Sequence, residues 1–226
     1  MIGEFQDKSI LITGASRGLG YVCAQEFEKQ GARLVMVARS LSKLEQLKST
    51  FSNPAKHLVF SADLVNCDSI QTLVKKGLEH SGGFDIVLHV LGGGYGFRDP
   101  LITWDQLETL HRVNIGVAAE INRLIVPDMV NKKNGRLVHV GSIASQEATA
   151  SVGYNTVKAA LAAYVRSLGR ELAESGVVVS GILPGAFYAP ENSWERLKAS
   201  KPEVVKEFIE KNLPRKRIAE VDEIMP

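Results

Sequence analysis

The chain has 226 residues, 45% of them apolar and 23% charged, which suits one domain with a full hydrophobic core. Its 27 basic and 25 acidic residues leave a net charge of +2, and no basic block or interleaved aromatic stripe points to nucleic acid. No apolar run approaches the ~20 residues of a membrane span, the opening MIGEFQDKS lacks signal-peptide character, and Cys23 and Cys67 form no metal or redox spacing, so a cytoplasmic protein with no metal site and no membrane partner is expected.

In chain order, residues 8–13 (KSILIT) form a short apolar run ending at glycine, as in a buried parallel strand. A helical pattern through Val22, Ala24 and Phe27 follows, with Gly31 as its stop. Residues 33–38 read as the second strand and 41–51 as the second helix. A third strand at 58–62 leads into Asp63, then a helix at about 68–80. The fourth strand, 84–91 (FDIVLHVL), is broken by Gly92-Gly93-Gly94. Thr103 is placed to cap a long helix reaching Val130. A fifth strand at 135–141, a helix at 152–175 and a sixth strand at 177–183 complete the pattern. Strand and helix alternate with short connections, which predicts an α/β fold: a three-layer, doubly wound parallel sheet of the Rossmann type in a single domain.

The turn TGASRGLG (residues 13–20) lies between the first strand and first helix, the position a nucleotide-binding loop requires. Gly14 permits the tight turn, and Gly18 and Gly20 let backbone and diphosphate approach; Ser16, Arg17 and Leu19 complete the cofactor loop, whose helix N-terminus offers N–H groups to phosphate. An acidic residue at the end of strand two would hold adenosine ribose hydroxyls. Ala38 stands there, followed by Arg39, so Arg17 and Arg39 are suited to a ribose 2′-phosphate. NADP(H) is the preferred cofactor on this reading and NAD(H) a possible one; two solvated surface arginines are the alternative. Asp63, with Leu64 beside it, is placed to reach the adenine edge or simply to form a turn. Further on, Tyr154 and Lys158 are four residues apart and share a helical face. A nearby cation favours the phenolate and fits Tyr154 for proton exchange with a substrate oxygen.

Together TGASRGLG, Asn114, Ser142, YNTVK (154–158) and Leu183-Pro184-Gly185 make the chain resemble the short-chain dehydrogenase/reductase family along essentially its whole length. The resemblance implies Tyr154 as catalytic acid/base, Ser142 as the hydroxyl holding the substrate carbonyl, and Lys158 as a ribose ligand that lowers the Tyr154 pKa. It further implies Asn114 as anchor of a proton-relay water, and Gly92, Pro184 and Gly185 against the cofactor. Three departures stand out. His89-Val90-Leu91-Gly92 replaces the family's Asn-Asn-Ala-Gly, so His89 reads as a structural substitute. Ala186-Phe187-Tyr188-Ala189 lacks the usual threonine. The sequence stops at Met225-Pro226, so the seventh strand is missing and truncation of a longer protein is expected.

Residues 187–217 read as a lid over the substrate, with two short helical patterns separated by Lys201-Pro202; eight basic against five acidic residues between Tyr188 and Arg217 give it a mild positive excess. The expected substrate is a small carbonyl or secondary alcohol, either a 3-oxoacyl thioester or a keto-sugar or other polar ketone. The competing reading is a catalytically silent dinucleotide-binding sensor or scaffold. By resemblance the partner is a second copy of the chain, in a homodimer or homotetramer built on the long helices from Thr103 and Val152. Ser145 lies in the same loop as Ser142 and is the alternative carbonyl-binding hydroxyl.

Overall fold

A computed structural model describes residues 3–225. Six parallel strands form the central sheet: β1 (Ser9–Thr13), β2 (Arg33–Ala38), β3 (Leu58–Ser61), β4 (Ile86–His89), β5 (Gly135–Val140) and β6 (Val177–Ile182), in the order β3-β2-β1-β4-β5-β6. The order reverses direction between β1 and β4, which are neighbours with Ile10 beside Ile86 and Thr13 beside His89. At such a switch point the loops leaving the two strands diverge and open a crevice at the carboxyl edge. The predicted doubly wound sheet is thus present.

Strands β1, β2 and β4 are apolar on both faces because both are covered. Leu11, Val35, Val37 and Val87 point to one side, where they meet α3 (Cys67–Ser81) and α5 (Val117–Asn131) through Leu73, Ile121, Ile125 and Met129. Their alternates Ile10, Ile12, Leu34, Met36 and Leu88 meet α1 (Gly18–Lys29) and α2 (Leu41–Ser49) through Leu19, Ala24, Leu44 and Leu47. The period of two carries β1, β2 and β4 into both cores, whereas β6 faces only the first and is mostly exposed. Each fully buried Leu or Ile contributes roughly 1.5–3 kcal/mol, so the sheet is a rigid platform for what sits on its edge.

The long helix starts at Thr103 as predicted. A capping box joins the Thr103 side chain to the Gln106 backbone and the Gln106 side chain to that of Thr103. It runs as α4 (Trp104–His111), then a π-helical turn, Arg112–Gly116, and then α5. The sequence pattern gives no sign of that wider turn, which holds Asn114. Strand four is shorter than the apolar run: the Thr13 hydroxyl accepts hydrogen bonds from the N–H groups of Val90 (3.1 Å) and Leu91 (3.2 Å) and draws the chain off the sheet after His89.

α6 (Val152–Glu171) carries the Tyr–Lys pair and ends before the predicted 175, its last turn tightening to a 3₁₀ segment. Beyond β6 a two-residue ladder, β7 (Phe187–Tyr188) with β8 (Ala219–Glu220), closes a segment holding α7 (Ser193–Ser200) and α8 (Pro202–Asn212). Trp194 and Phe208, with ring centroids 4.5 Å apart, pin these two helices together. Among the described residues no strand pairs with the outer edge of β6, and no helix is long and apolar enough to cross a membrane.

Candidate active site

Of the six connections at the carboxyl edge, four matter most here: residues 14–17 after β1, 90–103 after β4, 141–151 after β5 and 183–186 after β6. The sequence-predicted catalytic residues come together where the middle two meet α6. Lys158 is only 3% exposed and its Nζ donates to the Val140 carbonyl oxygen at 3.0 Å, which pins the ammonium under the end of β5. It lies 5.6 Å from the centre of the Tyr154 ring. Ser142 caps the short turn Ile143–Ser145, its Oγ accepting from the Ala144 N–H at 3.2 Å. The Ser142 side chain also lies by Tyr154, where it favours the ionised phenol. Ser145, the alternative hydroxyl, has its Oγ buried without a hydrogen-bond partner among the described residues.

Of the glycines after β4, Gly92 is the one that makes room for these groups. A Cβ on Gly92 would stand 2.8 Å from Asn114 Oδ1 and 3.2 Å from Lys158 Nζ, and one on Gly94 would touch the Tyr154 ring at 3.6 Å. Asn114 fixes this stretch as a peptide group would. Its Oδ1 accepts from the Gly93 N–H at 3.1 Å, and its Nδ2 donates to the carbonyls of Gly93 (3.0 Å) and Leu110 (2.9 Å). Its amide is thereby committed to bracing the loop.

Electrostatics depart from the expectation that Lys158 lowers the Tyr154 pKa. Burial pushes Tyr154 up, and the Ser142 side chain pulls only partly back. Burial also pulls Lys158 down, to about 8. At neutral pH the pair is therefore a protonated phenol beside a mostly protonated amine, a proton donor and a cation.

The cofactor-loop residues gather at the other end of the crevice. Gly14 has φ +73°, and a Cβ on Gly20 would lie 2.6 Å from the Gly14 carbonyl oxygen, so only glycine lets α1 begin against the turn. Ser16 and Arg17 lie on the turn, Gly18, Leu19 and Gly20 form the buried first turn of α1, and Arg17 and Arg39 are exposed. Asp63 is exposed at the end of β3, where its Oδ1 accepts from the Val65 N–H at 3.2 Å, a turn bond; Leu64 beside it is buried. The Pro184 carbonyl accepts from the Ile143 N–H at 3.1 Å, tying the β6 loop to the Ser142 loop, and Gly185 is exposed.

Two features escaped sequence reading. Thr13 braces the start of the loop after β4 through its hydroxyl. His89, buried beneath the site, bonds Asn122 Oδ1 through Nε2 at 2.8 Å and stacks on His139 with centroids 4.5 Å apart. Burial depresses His89 to about 4 and, chiefly by burial and then by His89, His139 to about 2. Both rings are neutral packing partners, which fits the structural role expected of His89. An apolar run with a single histidine in it gives no hint of a stacked pair. A cavity of about 580 Å³ lies elsewhere, against β6 and α6 between Val178, Leu161 and Val165.

A switch-point crevice with a glycine turn at one end and a Ser–Tyr–Lys cluster at the other defines a dinucleotide-dependent oxidoreductase. The model of the short chain dehydrogenase family matches residues 8–199, and the chain belongs to that family as an NAD(P)-dependent enzyme. It is 30% identical over 190 residues to an uncharacterized oxidoreductase of Staphylococcus epidermidis, covering 84% of this chain and 82% of that one. Another, from Staphylococcus aureus, is 29% identical over 223 residues, 96% of each. Among solved structures, L-sorbose reductase from Gluconobacter frateurii, complexed with NADPH and L-sorbose, has a TM-score of 0.87 at 26% identity, covering 99% of this chain and 89% of that one. Levodione reductase also has 0.87 at 26%, covering 98% and 88%.

Proposed function

We propose that this enzyme is an NADP(H)-dependent reductase of polar ketones, keto-sugars among them, with Tyr154 as its acid. The observation that carries the reading is the convergence of Tyr154, Lys158 and Asn114 on Gly92–Gly94 at the carboxyl edge, with Ser142 beside Tyr154. The nicotinamide ring, when bound, supplies a hydride to the carbonyl carbon. As that C–H bond forms, the C=O π pair moves onto oxygen. Tyr154 then gives its hydroxyl proton to that oxygen, and Ser142 holds it in place by a hydrogen bond. The phenolate left on Tyr154 is stabilised by the Lys158 ammonium and regains its proton from solvent. A tyrosine raised by burial is in the protonated state that reduction needs.

Gly14, Ser16, Arg17, Gly18, Leu19 and Gly20 would receive the diphosphate and adenosine end, with Asp63, Leu64 and Gly92 along the crevice and Pro184 and Gly185 by the ring. Lys158 and Tyr154 would hold the ribose next to it. Arg17 and Arg39, with no carboxylate at Ala38, support the preference for a 2′-phosphate. L-sorbose reductase, which holds NADPH and L-sorbose, favours the polar-ketone substrate over an acyl thioester. The segment 187–217 serves as lid, and the chain assembles through its long helices, where Trp104 is 81% and Val152 49% exposed.

The test is turnover of NADPH against a panel of keto-sugars, diketones, simple ketones and 3-oxoacyl thioesters. Oxidation of NADPH with the keto-sugars or diketones supports the reading. Exclusive use of acyl thioesters overturns the substrate class, and tight NADPH binding without turnover on any compound returns the chain to the sensor reading.

A further inference from the structure

The tip of the segment between β7 and α7 is docked on the cofactor loop. The Gly18 N–H, first donor of α1, gives its hydrogen bond to the Pro190 carbonyl at 2.6 Å, and the Asn192 side chain packs beside Gly18. The next residue, Glu191, has φ +55°, a left-handed conformation that an L-residue rarely adopts. It is held there from several sides. Its N–H donates to Glu195 at 2.9 Å, the Arg196 guanidinium donates to its carbonyl, and its carboxylate pairs with Lys43 in the first turn of α2. Asn192 fixes the turn by capping α7 and donating to the Phe187 carbonyl at 2.7 Å.

Lys43 follows closely on Arg39 at the end of β2, so the lid has placed an anion where the glycine loop and that strand end face each other. The cations around it are Lys43, Arg17 and Arg196, with Arg39 acting on Arg17 in turn. Partial burial first, and then Arg196 and Arg39, hold the Arg17 guanidinium below its usual value, while Glu191 opposes them. Three cations act on one carboxylate, with Arg39 beside one of them.

We infer that Glu191 occupies the place of the cofactor's ribose 2′-phosphate and competes with it, and that Lys43 and Arg196 become ligands of that phosphate once Glu191 leaves. The inference rests on the NADP(H) reading above. A phosphate monoester carries about −1.5 to −2 charge and three acceptor oxygens, against one charge and two oxygens for a carboxylate, so it wins the exchange. A ribose hydroxyl carries no charge and does not displace Glu191. Departure of Glu191 also frees the Gly18 N–H from Pro190 and relaxes the left-handed residue, which links phosphate arrival to opening of the lid tip. Lys43, Glu191 and Arg196 are thus specificity-determining residues contributed from outside the glycine loop.

The experiment is calorimetric titration of NADPH and NADH into the full chain, Glu191→Gln, and Glu191→Gln/Lys43→Met. Removing the competing charge is expected to tighten NADPH about tenfold and leave NADH within about twofold. Adding Lys43→Met is expected to weaken NADPH about tenfold more than NADH. Unchanged NADPH affinity in Glu191→Gln overturns the inference, and so does weakened NADH affinity, which would make Glu191 a ribose ligand. If the unaltered chain binds NADH as tightly as NADPH, the NADP(H) preference fails by itself, because the response to Glu191→Gln is read separately.

Discussion

Lys158→Met separates the cost of burying an ammonium from the use made of it. The side chain is 3% exposed, its one direct hydrogen bond goes to the Val140 carbonyl, and burial takes its pKa from 10.5 to about 8. That difference corresponds to about 3 kcal/mol of instability below pH 8, because each pKa unit is worth about 1.4 kcal/mol. For a base with a lowered folded-state pKa, the unfolded chain binds more protons between about 8 and 10.5. Stability from this group therefore rises with pH across that window. Tyr154, raised by burial, starts to act in the opposite direction only above about 10, so the clean interval ends near pH 9.5. Between pH 7 and 9.5 the unaltered chain should gain about 2 kcal/mol relative to Lys158→Met, other titrations cancelling in the difference. At pH 7 the variant also leaves the Val140 carbonyl without its donor, which costs about 1–3 kcal/mol and offsets the relief of charge. The slope with pH is thus the informative quantity. Urea unfolding followed by circular dichroism at several pH values measures it, provided the m-value is unchanged. A difference that stays flat from pH 7 to 9.5 would refute the claim that burial depresses this lysine.

Other consequences follow from the same geometry. Reduction should slow above about pH 8, as Lys158 loses the charge that stabilises the Tyr154 phenolate, and a pH profile of kcat/KM reads this directly. Gly92→Ala pushes a methyl group against Asn114 Oδ1 and Lys158 Nζ; kcat/KM should drop about a hundredfold, and Tm should fall with an overpacking cost of about 1–3 kcal/mol. His139→Phe removes a buried ring with two unpartnered nitrogens and a pKa near 2. The lowered histidine makes the native chain lose stability as pH falls below 6.5, so between pH 6.5 and 4 the variant should lose about 3 kcal/mol less, as denaturant titrations at the two pH values would measure.

The strands and helices were legible because both faces of the sheet are covered along β1, β2 and β4, which turns those strands into apolar runs and leaves the glycine turns as punctuation. Tyr154, Lys158 and Ser142 were legible because their chemistry depends on local spacing at a strand end and on one helical face. What was hidden depends on contacts distant in sequence. The early departure of β4 from the sheet follows from Thr13, more than seventy residues earlier. The pairing of His89 with His139 follows from β4 lying beside β5. Glu191 looked like one more charge on a solvated lid, and only the fold brings it to Lys43 and the glycine loop. Electrostatics were the least legible of all: the four-residue spacing of Tyr154 and Lys158 says that they are near, but burial decides which way each pKa moves.

The central claim is that Tyr154 passes the proton, and Tyr154→Phe tests it most directly because it removes one oxygen and little else. NADPH titration and turnover on the best ketone of the panel should be measured on the same preparation. The account predicts turnover reduced about a thousandfold with NADPH affinity within about twofold of the unaltered chain. Turnover retained within about tenfold would contradict it.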